Sequence, residues 1–329
     1  FYIPACLWPS EMPAHSRDNW AGFGLGIYTW TLQTYLRLQE TGFPCELTDQ
    51  LPEQGIVLFH RNVVLKADIS PGPSRLLICI KADVPFFSGA QLHVVQNPLE
   101  ASPSLGSYFI PHWPQPGLLP RQPGRRDRFE TVAFFGHQVN LDPALNTSVW
   151  QEKLAQRGLR WVSIANTNRW NDYTTLNNGW NDYRQIDAIV GVRQLQARRP
   201  LYRRKPATKL YNAWMAGVPA VLGQEWAYRA TGQAGVNYLE ANSLEAVLHH
   251  LERLKQDVAW RQSLVEAGRI QSVAYQPEVI TQRWRQFLKT VAVPAYQHWC
   301  QLNRVQRYTS LVKSTLINYC DRAVHRLVG

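Results

Sequence analysis

Positive charge is concentrated in a short segment that leads into a predicted helix. Between Gln194 and Lys209 the sequence has no acidic residue but six basic ones, namely Arg198, Arg199, Arg203, Arg204, Lys205 and Lys209. We expect Thr208 to cap this helix and Gly217 to end it. A helix N-terminus presents unpaired N–H groups and a partial positive charge, so the segment predicts a diphosphate site. The alternative is a solvated basic loop beside an ordinary helix.

A second segment allows a ligand to approach the backbone closely. Gly22, Gly24 and Gly26 alternate with larger residues after Asp18, and glycine leaves room beside the main chain. The spacing is G-x-G-x-G, whereas the dinucleotide fingerprint is G-x-G-x-x-G followed by an acid about 20 residues later. Asp49 is the nearest candidate for that acid. The loop predicts a binding surface without defining its ligand.

The elements that position these segments fall on two sides of a linker. Residues 111–124 contain five prolines and two glycines, which neither a helix nor a central strand tolerates. The net charge also changes from negative to positive at this linker. Residues 1–112 have six basic and nine acidic residues (−3), and residues 113–329 have 29 and 15 (+14). A chain of 329 residues with such a division predicts two domains.

Short apolar runs alternate with helical patterns on both sides of the linker. The predicted strands are 3–8, 45–48, 56–60, 76–80, 92–95, 108–110, 131–135, 161–165, 188–192, 219–222 and 236–239. The predicted helices are 27–40, 148–157, 208–216, 243–256, 258–270 and 277–290. Strands that alternate with helices favour parallel sheets, so the predicted fold class is α/β with two Rossmann-like domains.

The segment from Lys205 to Gly223, KPATKLYNAWMAGVPAVLG, resembles the donor-binding motif of GT-B glycosyltransferases. It is similar to the motifs of glycosyltransferase family 4-like and fucosyltransferase-like enzymes. Fucosyltransferases usually have Glu where Thr208 stands, and the large retaining families have Glu in place of Asn212. Weaker similarity extends from the linker to about residue 290. It includes 134–137, which resemble the first strand and glycine turn of a donor domain, and 180–193.

The resemblance implies two Rossmann-like domains that face each other across a cleft. The N-terminal, acceptor-side domain would comprise residues 1–112, and the linker residues 113–124. The nucleotide-sugar-binding domain would comprise residues 125–290. A helical tail, 291–329, would cross back to the first domain.

The resemblance also implies roles for individual residues. Arg193, Lys205 and Lys209 would neutralise the diphosphate leaving group, the task that a metal ion performs in other transferases. The remaining donor-binding candidates are Tyr211 and Asn212 near ribose or sugar hydroxyls, Glu225 as a hydroxyl acceptor, the loop glycines Gly22 and Gly24, and His137 after the first donor-domain strand. Glu225 has the alternative of an ordinary surface acid.

His15 and Asp18, ahead of the glycine loop, are the candidates for a general base that deprotonates an acceptor hydroxyl. Their alternatives are a loop histidine and a turn-forming aspartate. Asp83 and His137 are reserve candidates, and His60 closes a strand at a position that can also face the cleft. Trp20, Trp113 and Trp180 are candidate platforms for an acceptor sugar.

The function implied by the resemblance is transfer of a hexosyl or fucosyl group from a nucleotide-sugar to a hydroxyl of a glycan, lipid or small molecule. We expect no metal and no cofactor. The alternatives are a binder of nucleic acid or an acidic polymer without enzymatic activity, and a nucleotide-sugar epimerase. The charge gathers before one helix rather than along a stripe, and no nucleic-acid module is recognisable, so we expect no nucleic-acid partner.

The expected location is the cytoplasm. Five widely spread cysteines form no C-x-x-C pair and show no zinc spacing, as expected of free thiols in a reducing compartment. The segment 295–329 combines apolar residues at helical spacing with basic ones. We expect it to pack on the first domain, and the alternative is a peripheral contact with an anionic membrane.

Overall fold

A computed structural model describes residues 1–167, 179–198, 200–312 and 315. Within these residues, nine parallel strands form two sheets. The first contains β1 (Gly55–His60), β2 (Arg75–Ile80), β3 (Leu92–Val95) and β4 (Ser107–Phe109). The second contains β5 (Thr131–His137), β6 (Arg160–Asn166), β7 (Ala188–Gly191), β8 (Ala220–Leu222) and β9 (Leu239–Glu240).

Helices cover the sheets and follow the predicted positions, apart from the helix Trp226–Thr231, which was not predicted. They are α1 (Gln33–Glu40), α2 (Ser148–Ala155), α3 (Thr208–Ala216), α4 (Trp226–Thr231), α5 (Leu244–Gln256), α6 (Val258–Ser272), α7 (Pro277–Phe287) and α8 (Val293–Gln301). Short π-helical turns, Tyr28–Leu32 and Leu288–Ala292, lead into α1 and α8. None of the described helices is long and apolar enough to cross a bilayer.

The ends of α3 match the sequence prediction only in part. Gly217 ends the helix in the left-handed conformation, at φ 70°, as predicted for a glycine at this position. Ala207 is the N-cap, so Thr208 is the first helical residue and does not cap it. No side chain of the described residues caps this N-terminus. The N–H groups of Leu210 and Tyr211 donate to Ala207 O, so those of Thr208 and Lys209 are the ones that a ligand can reach.

The first sheet is extended by two short segments that do not form regular strands. Tyr2 N donates to Leu58 O at 2.8 Å, and Ile3 N donates to Thr48 O at 3.1 Å. The predicted strands at 3–8 and 45–48 are thus reduced to an isolated parallel bridge between Tyr2 and Thr48. A 3-10 turn at Ala5–Leu7 ends the first of them. The Tyr2 segment lies between the Thr48 segment and β1. The direction of winding therefore changes between the Tyr2 segment and β1.

The second sheet has the order β6-β5-β7-β8-β9. Its first strand, β5, lies between β6 and β7. The direction of winding therefore changes between β5 and β7. In open α/β sheets, ligands bind in the crevice that such a change leaves at the carboxyl ends of the strands.

Separate cores support the two sheets. The first core continues into the C-terminal helices, because Ile280, Trp284 and Phe287 of α7 pack with residues of β1–β4. We expected the crossing back to the first sheet to begin at residue 291, but these contacts show that it begins earlier, in α7. Trp299 of α8 also reaches this half, since its Nε1 donates to Gly72 O at 2.9 Å. The predicted fold class, two Rossmann-like α/β units joined by a helical C-terminal segment, is confirmed.

The predicted tail is described only in part. Leu302 and Leu311 pack on the first core, as the amphipathic pattern predicted. Residues 313, 314 and 316–329 lie outside the described residues, and so does Arg199 of the basic segment.

Candidate functional site

A cavity of about 590 Å³ lies at the carboxyl ends of the second sheet. Residues that follow β5 and β6 form most of its wall, and Arg193 comes from the loop after β7. Its lining residues are His137, Gln138, Val139, Leu141, Pro143, Asn146, Asn166, Thr167 and Arg193. The cavity combines an apolar side with amides, imidazole and guanidinium, as small-molecule sites usually do. It occupies the crevice where the winding of the sheet changes.

Lys209, in the first turn of α3, points into the same end of the sheet. Its Nζ donates to Phe135 O at 2.5 Å and lies 4.7 Å from the centre of the Phe134 ring. Burial lowers its pKa to about 7, and repulsion from Arg193 and Lys205 adds to this effect. An anion bound next to such a destabilised cation would stabilise its charged form.

Arg193 and Glu225 form a buried ion pair beside Lys209. The Nη1 atom of Arg193 contacts Glu225 Oε2, and its Nε donates to Asn140 Oδ1 at 3.0 Å. Glu225 is only 1% exposed, so the alternative of a surface acid is wrong. Burial raises its pKa, which Arg193 and Lys209 oppose. Its Oε1 has no hydrogen-bond partner among the described residues and could accept one from a ligand hydroxyl.

Lys205 forms an ion pair with a residue of the opposite half of the molecule. Its Nζ contacts Asp83 Oδ2, and the two side chains are 27% and 38% exposed. Asp83 follows β2 and therefore belongs to the opposite half of the molecule. Although burial opposes its charge, the Lys205 ammonium holds the pKa of Asp83 below its usual value.

Other residues of the basic segment hold the two halves together. Gln96 Nε2 donates to Arg204 O at 2.9 Å, and Arg204 Nε lies 3.6 Å from Glu100 Oε1. Glu100 also binds the fully buried Lys81 at 2.5 Å. The alternative of a wholly solvated basic loop is therefore wrong for Arg204, which is 7% exposed.

The glycine loop faces the second half of the chain. Ala21–Gly24 form a 3-10 turn, and Gly24 O lies 3.5 Å from His137 Nε2. Gly22 packs against the Trp20 ring, leaving no space for a side chain there. Burial lowers the pKa of His137, so its imidazole is neutral at pH 7. The loop and His137 are thus brought together, whereas Gly22 serves local packing.

His15 and Asp18 form a turn at the molecular surface. The Asp18 carboxylate accepts the backbone N–H of His15 at 2.8 Å. The His15 side chain is 59% exposed and lies 4.0 Å from Glu40. This geometry matches the alternative roles, a loop histidine and a turn-forming aspartate. Their participation as general base stays a prediction that these contacts do not support.

Tyr211 and Asn212 have structural contacts that differ from the predicted ones. Tyr211 is fully buried and stacks on Tyr275 at 4.3 Å, so it lies in the core and not near a ligand hydroxyl. The Asn212 Oδ1 accepts the backbone N–H of Gln115 at 2.9 Å and thereby ties the linker to α3. Trp113 is likewise buried, at 1% exposure, and is excluded as a sugar platform.

Two buried histidines of the first half have weak signals in the sequence. His60, which we expected to close a strand beside the cleft, ends β1 and is fully buried. Its Nδ1 accepts Asn62 N–H at 3.2 Å, so the proton of the neutral ring is on Nε2. That Nε2 has no partner among the described residues. His112 donates through Nδ1 to Trp113 O at 2.7 Å. Its only sequence signal was its place beside the linker.

No protein-family profile and no curated protein matches the chain. Among solved structures, it is similar to Anabaena HepE in complex with UDP-glucose, with a TM-score of 0.47, 14% identity and coverage of 66% of this chain and 73% of that one. It is also similar to sucrose-phosphate synthase from Thermosynechococcus elongatus, with a TM-score of 0.48 and 12% identity; the match covers 81% of this chain and 78% of that one. The match to TarM has a TM-score of 0.48 and 9% identity, and it covers 78% of this chain and 58% of that one. Identities this low say nothing about the roles of individual residues.

Proposed function

We propose that the chain is a glycosyltransferase that moves a sugar from a nucleotide-sugar to an acceptor hydroxyl. The observation that carries this proposal is the cavity of about 590 Å³ at the change of winding in the second sheet, with Arg193 in its wall. Lys209 lies in the first turn of α3, at the same carboxyl edge. A nucleotide whose diphosphate approaches α3 would meet free N–H groups and cations together.

Each half of the molecule has a crevice where its direction of winding changes, and the two crevices lie next to each other. This arrangement supports transfer rather than simple binding. The glycine loop and His60 lie where the first half changes its direction of winding. His137, beside the cavity of the second half, lies 3.5 Å from the loop carbonyl of Gly24. An acceptor in the first crevice would therefore adjoin a donor in the second, as proximity catalysis requires.

We further propose that the leaving diphosphate is stabilised by side chains and not by a metal. Lys209 and Arg193 can supply the positive charge, and Lys205 can join them when it leaves Asp83. Preorganised cations can lower the barrier to departure of an anion in a site shielded from water. Transfer that is undiminished by EDTA would support this proposal, and restoration of lost activity by Mg²⁺ would contradict it.

A thermal-shift series with UDP, GDP, ADP, CMP and dTDP tests the donor site. We expect one nucleotide to raise the melting temperature, because a ligand at a hundredfold excess over its Kd stabilises the native state by about 2.7 kcal/mol. Lys209→Ala should abolish the shift. Lys255→Ala, which removes an exposed lysine from α5, is the matched control and should leave the shift unchanged.

Product analysis then separates transfer from the two alternatives. Transfer releases the nucleoside diphosphate and a glycosylated acceptor, whereas an epimerase would change the sugar without any acceptor. Tight binding of duplex DNA without any response to nucleotides would contradict the proposal and favour the nucleic-acid binder.

We also propose that the C-terminal helical segment contacts an anionic membrane surface, where a lipid acceptor would lie. In the helical segment 304–312, Arg304, Val305, Tyr308 and Val312 share one face, and Val305 and Tyr308 are 73% and 70% exposed. Apolar, aromatic and basic residues on one face suit the lipid interface. Cosedimentation with vesicles containing phosphatidylglycerol should be lost in Val305→Glu/Tyr308→Glu. Equal binding of this variant would contradict the proposal.

A further inference from the structure

The ion pair between Lys205 and Asp83 joins the two halves of the molecule at the cleft. Asp83 lies three residues after β2, and Lys205 lies three residues before α3. Their side chains are in direct contact and both retain access to solvent. The pair therefore connects the carboxyl edge of the first sheet to the loop that carries the proposed donor site.

The donor would compete with Asp83 for Lys205. This inference rests on the proposed function, in which the Lys205 ammonium binds the donor diphosphate. A partly exposed ion pair contributes little to stability, whereas a diphosphate would gain contacts with Lys209 and the α3 N-terminus as well. Exchange of the carboxylate for the diphosphate is thus favourable.

Departure of Lys205 changes the chemistry of Asp83. Two histidines interact with Asp83, His60 at the end of β1 and His112 next to Trp113. The Arg61 guanidinium is also close, and its Nε donates to Pro85 O at 3.1 Å. Burial lowers the pKa of each histidine to about 4, so both are neutral at pH 7. Neither can replace the ammonium, and the freed carboxylate becomes a better proton acceptor.

We propose that the donor diphosphate displaces Asp83 from Lys205 and that the released carboxylate accepts the proton of the acceptor hydroxyl. In this step the acceptor oxygen bonds to the anomeric carbon, while the bond from that carbon to the phosphate oxygen breaks. The diphosphate leaves with the electron pair, and the proton passes to Asp83. Donor binding thereby activates the base, because it brings the diphosphate to Lys205.

The test is the affinity and turnover of Asp83→Asn. Calorimetric titration uses UDP, or the nucleoside diphosphate that the thermal-shift series identifies. We expect the Kd to fall about two- to fivefold, because the competing ion pair of this exposed type is lost. Donor turnover, with an acceptor or with water, should fall about 10²-fold or more because the base is missing. A purely structural role would weaken both.

Three variants define the controls. Asp49→Asn makes the same change at an exposed site of the first half and should alter neither quantity. In a Lys205→Gln background, Asp83→Asn should no longer increase affinity, since the pair being broken is absent. Asp83→Glu should retain more turnover than Asp83→Asn.

The outcomes separate this inference from the function on which it rests. If the wild-type protein binds no nucleoside diphosphate, the proposed function fails. If it binds one and Asp83→Asn binds it equally well or more weakly, the exchange is overturned. Tighter binding with full turnover would overturn the proton transfer.

Discussion

At the scale of a residue, the surroundings of Lys209 support the proposed diphosphate site. Its ammonium contacts the Phe135 carbonyl and lies near two further cations, Arg193 and Lys205. Burial and this repulsion lower its pKa to about 7. The free protein therefore carries only a partial charge at this position near neutral pH, and a bound diphosphate would restore it.

We expect nucleotide binding to be coupled to proton uptake by Lys209. Above pH 7 the free side chain is mostly neutral, so the Kd for the nucleotide should rise with pH, by at most about tenfold per unit. Calorimetry between pH 6 and pH 9, in buffers of different ionisation enthalpy, measures both affinity and uptake. Lys209→Arg, which stays charged, should remove the dependence. A wild-type Kd that is constant over this range would contradict the assignment.

The same pKa predicts the opposite trend for the unliganded fold. The unfolded lysine keeps its proton to a pKa of about 10.4, so between about pH 7 and pH 10 the unfolded chain binds more protons. Because of Lys209, the free energy of unfolding therefore increases, and the fold becomes more stable, as pH rises through that window.

At the scale of elements, the end of β5 and the start of α3 fit together because one residue has no side chain. Gly136 has φ +146°, and a Cβ placed on it would lie 2.6 Å from Lys209 Nζ. The motif in α3 and the glycine in β5 are 73 residues apart in the chain. Their dependence on each other follows only from the parallel sheet that brings them together.

Gly136→Ala should displace the Lys209 ammonium and strain the backbone. We expect nucleotide affinity to fall at least about tenfold, with a loss of stability of about 1–3 kcal/mol. Titration calorimetry and urea unfolding measure the two effects. Gly124→Ala is the control, since Gly124 has open space around it, and it should change neither. Unaltered affinity in Gly136→Ala would show that Lys209 does not bind the nucleotide from this position.

At the scale of the whole molecule, the C-terminal helices complete the first half of the structure. Ile280, Trp284 and Phe287 pack with the core of β1–β4, although they follow the last strand of the second sheet. The ring centres of Trp284 and Trp30 are also only 6.5 Å apart. The two halves are consequently joined by packing as well as by the linker and the cleft contacts.

Trp284→Ala should destabilise the protein by about 3–5 kcal/mol, the range for removing a large buried aromatic side chain. Urea unfolding followed by circular dichroism measures this change. Trp8→Ala is the control, because Trp8 is 37% exposed and its removal should cost far less. Equal effects of the two substitutions would contradict the role of α7 in the first core.

The sequence by itself determined the α/β class, most strands, and the bounds of α3, because hydrophobic periodicity and glycine or proline positions act locally. It also marked Lys209 and Arg193, whose types suit a diphosphate. Only the tertiary structure decided that Tyr211 is core, that Asn212 holds the linker, and that Lys205 meets Asp83. Those outcomes depend on which way each side chain points and on contacts between residues far apart in the chain, neither of which local pattern encodes.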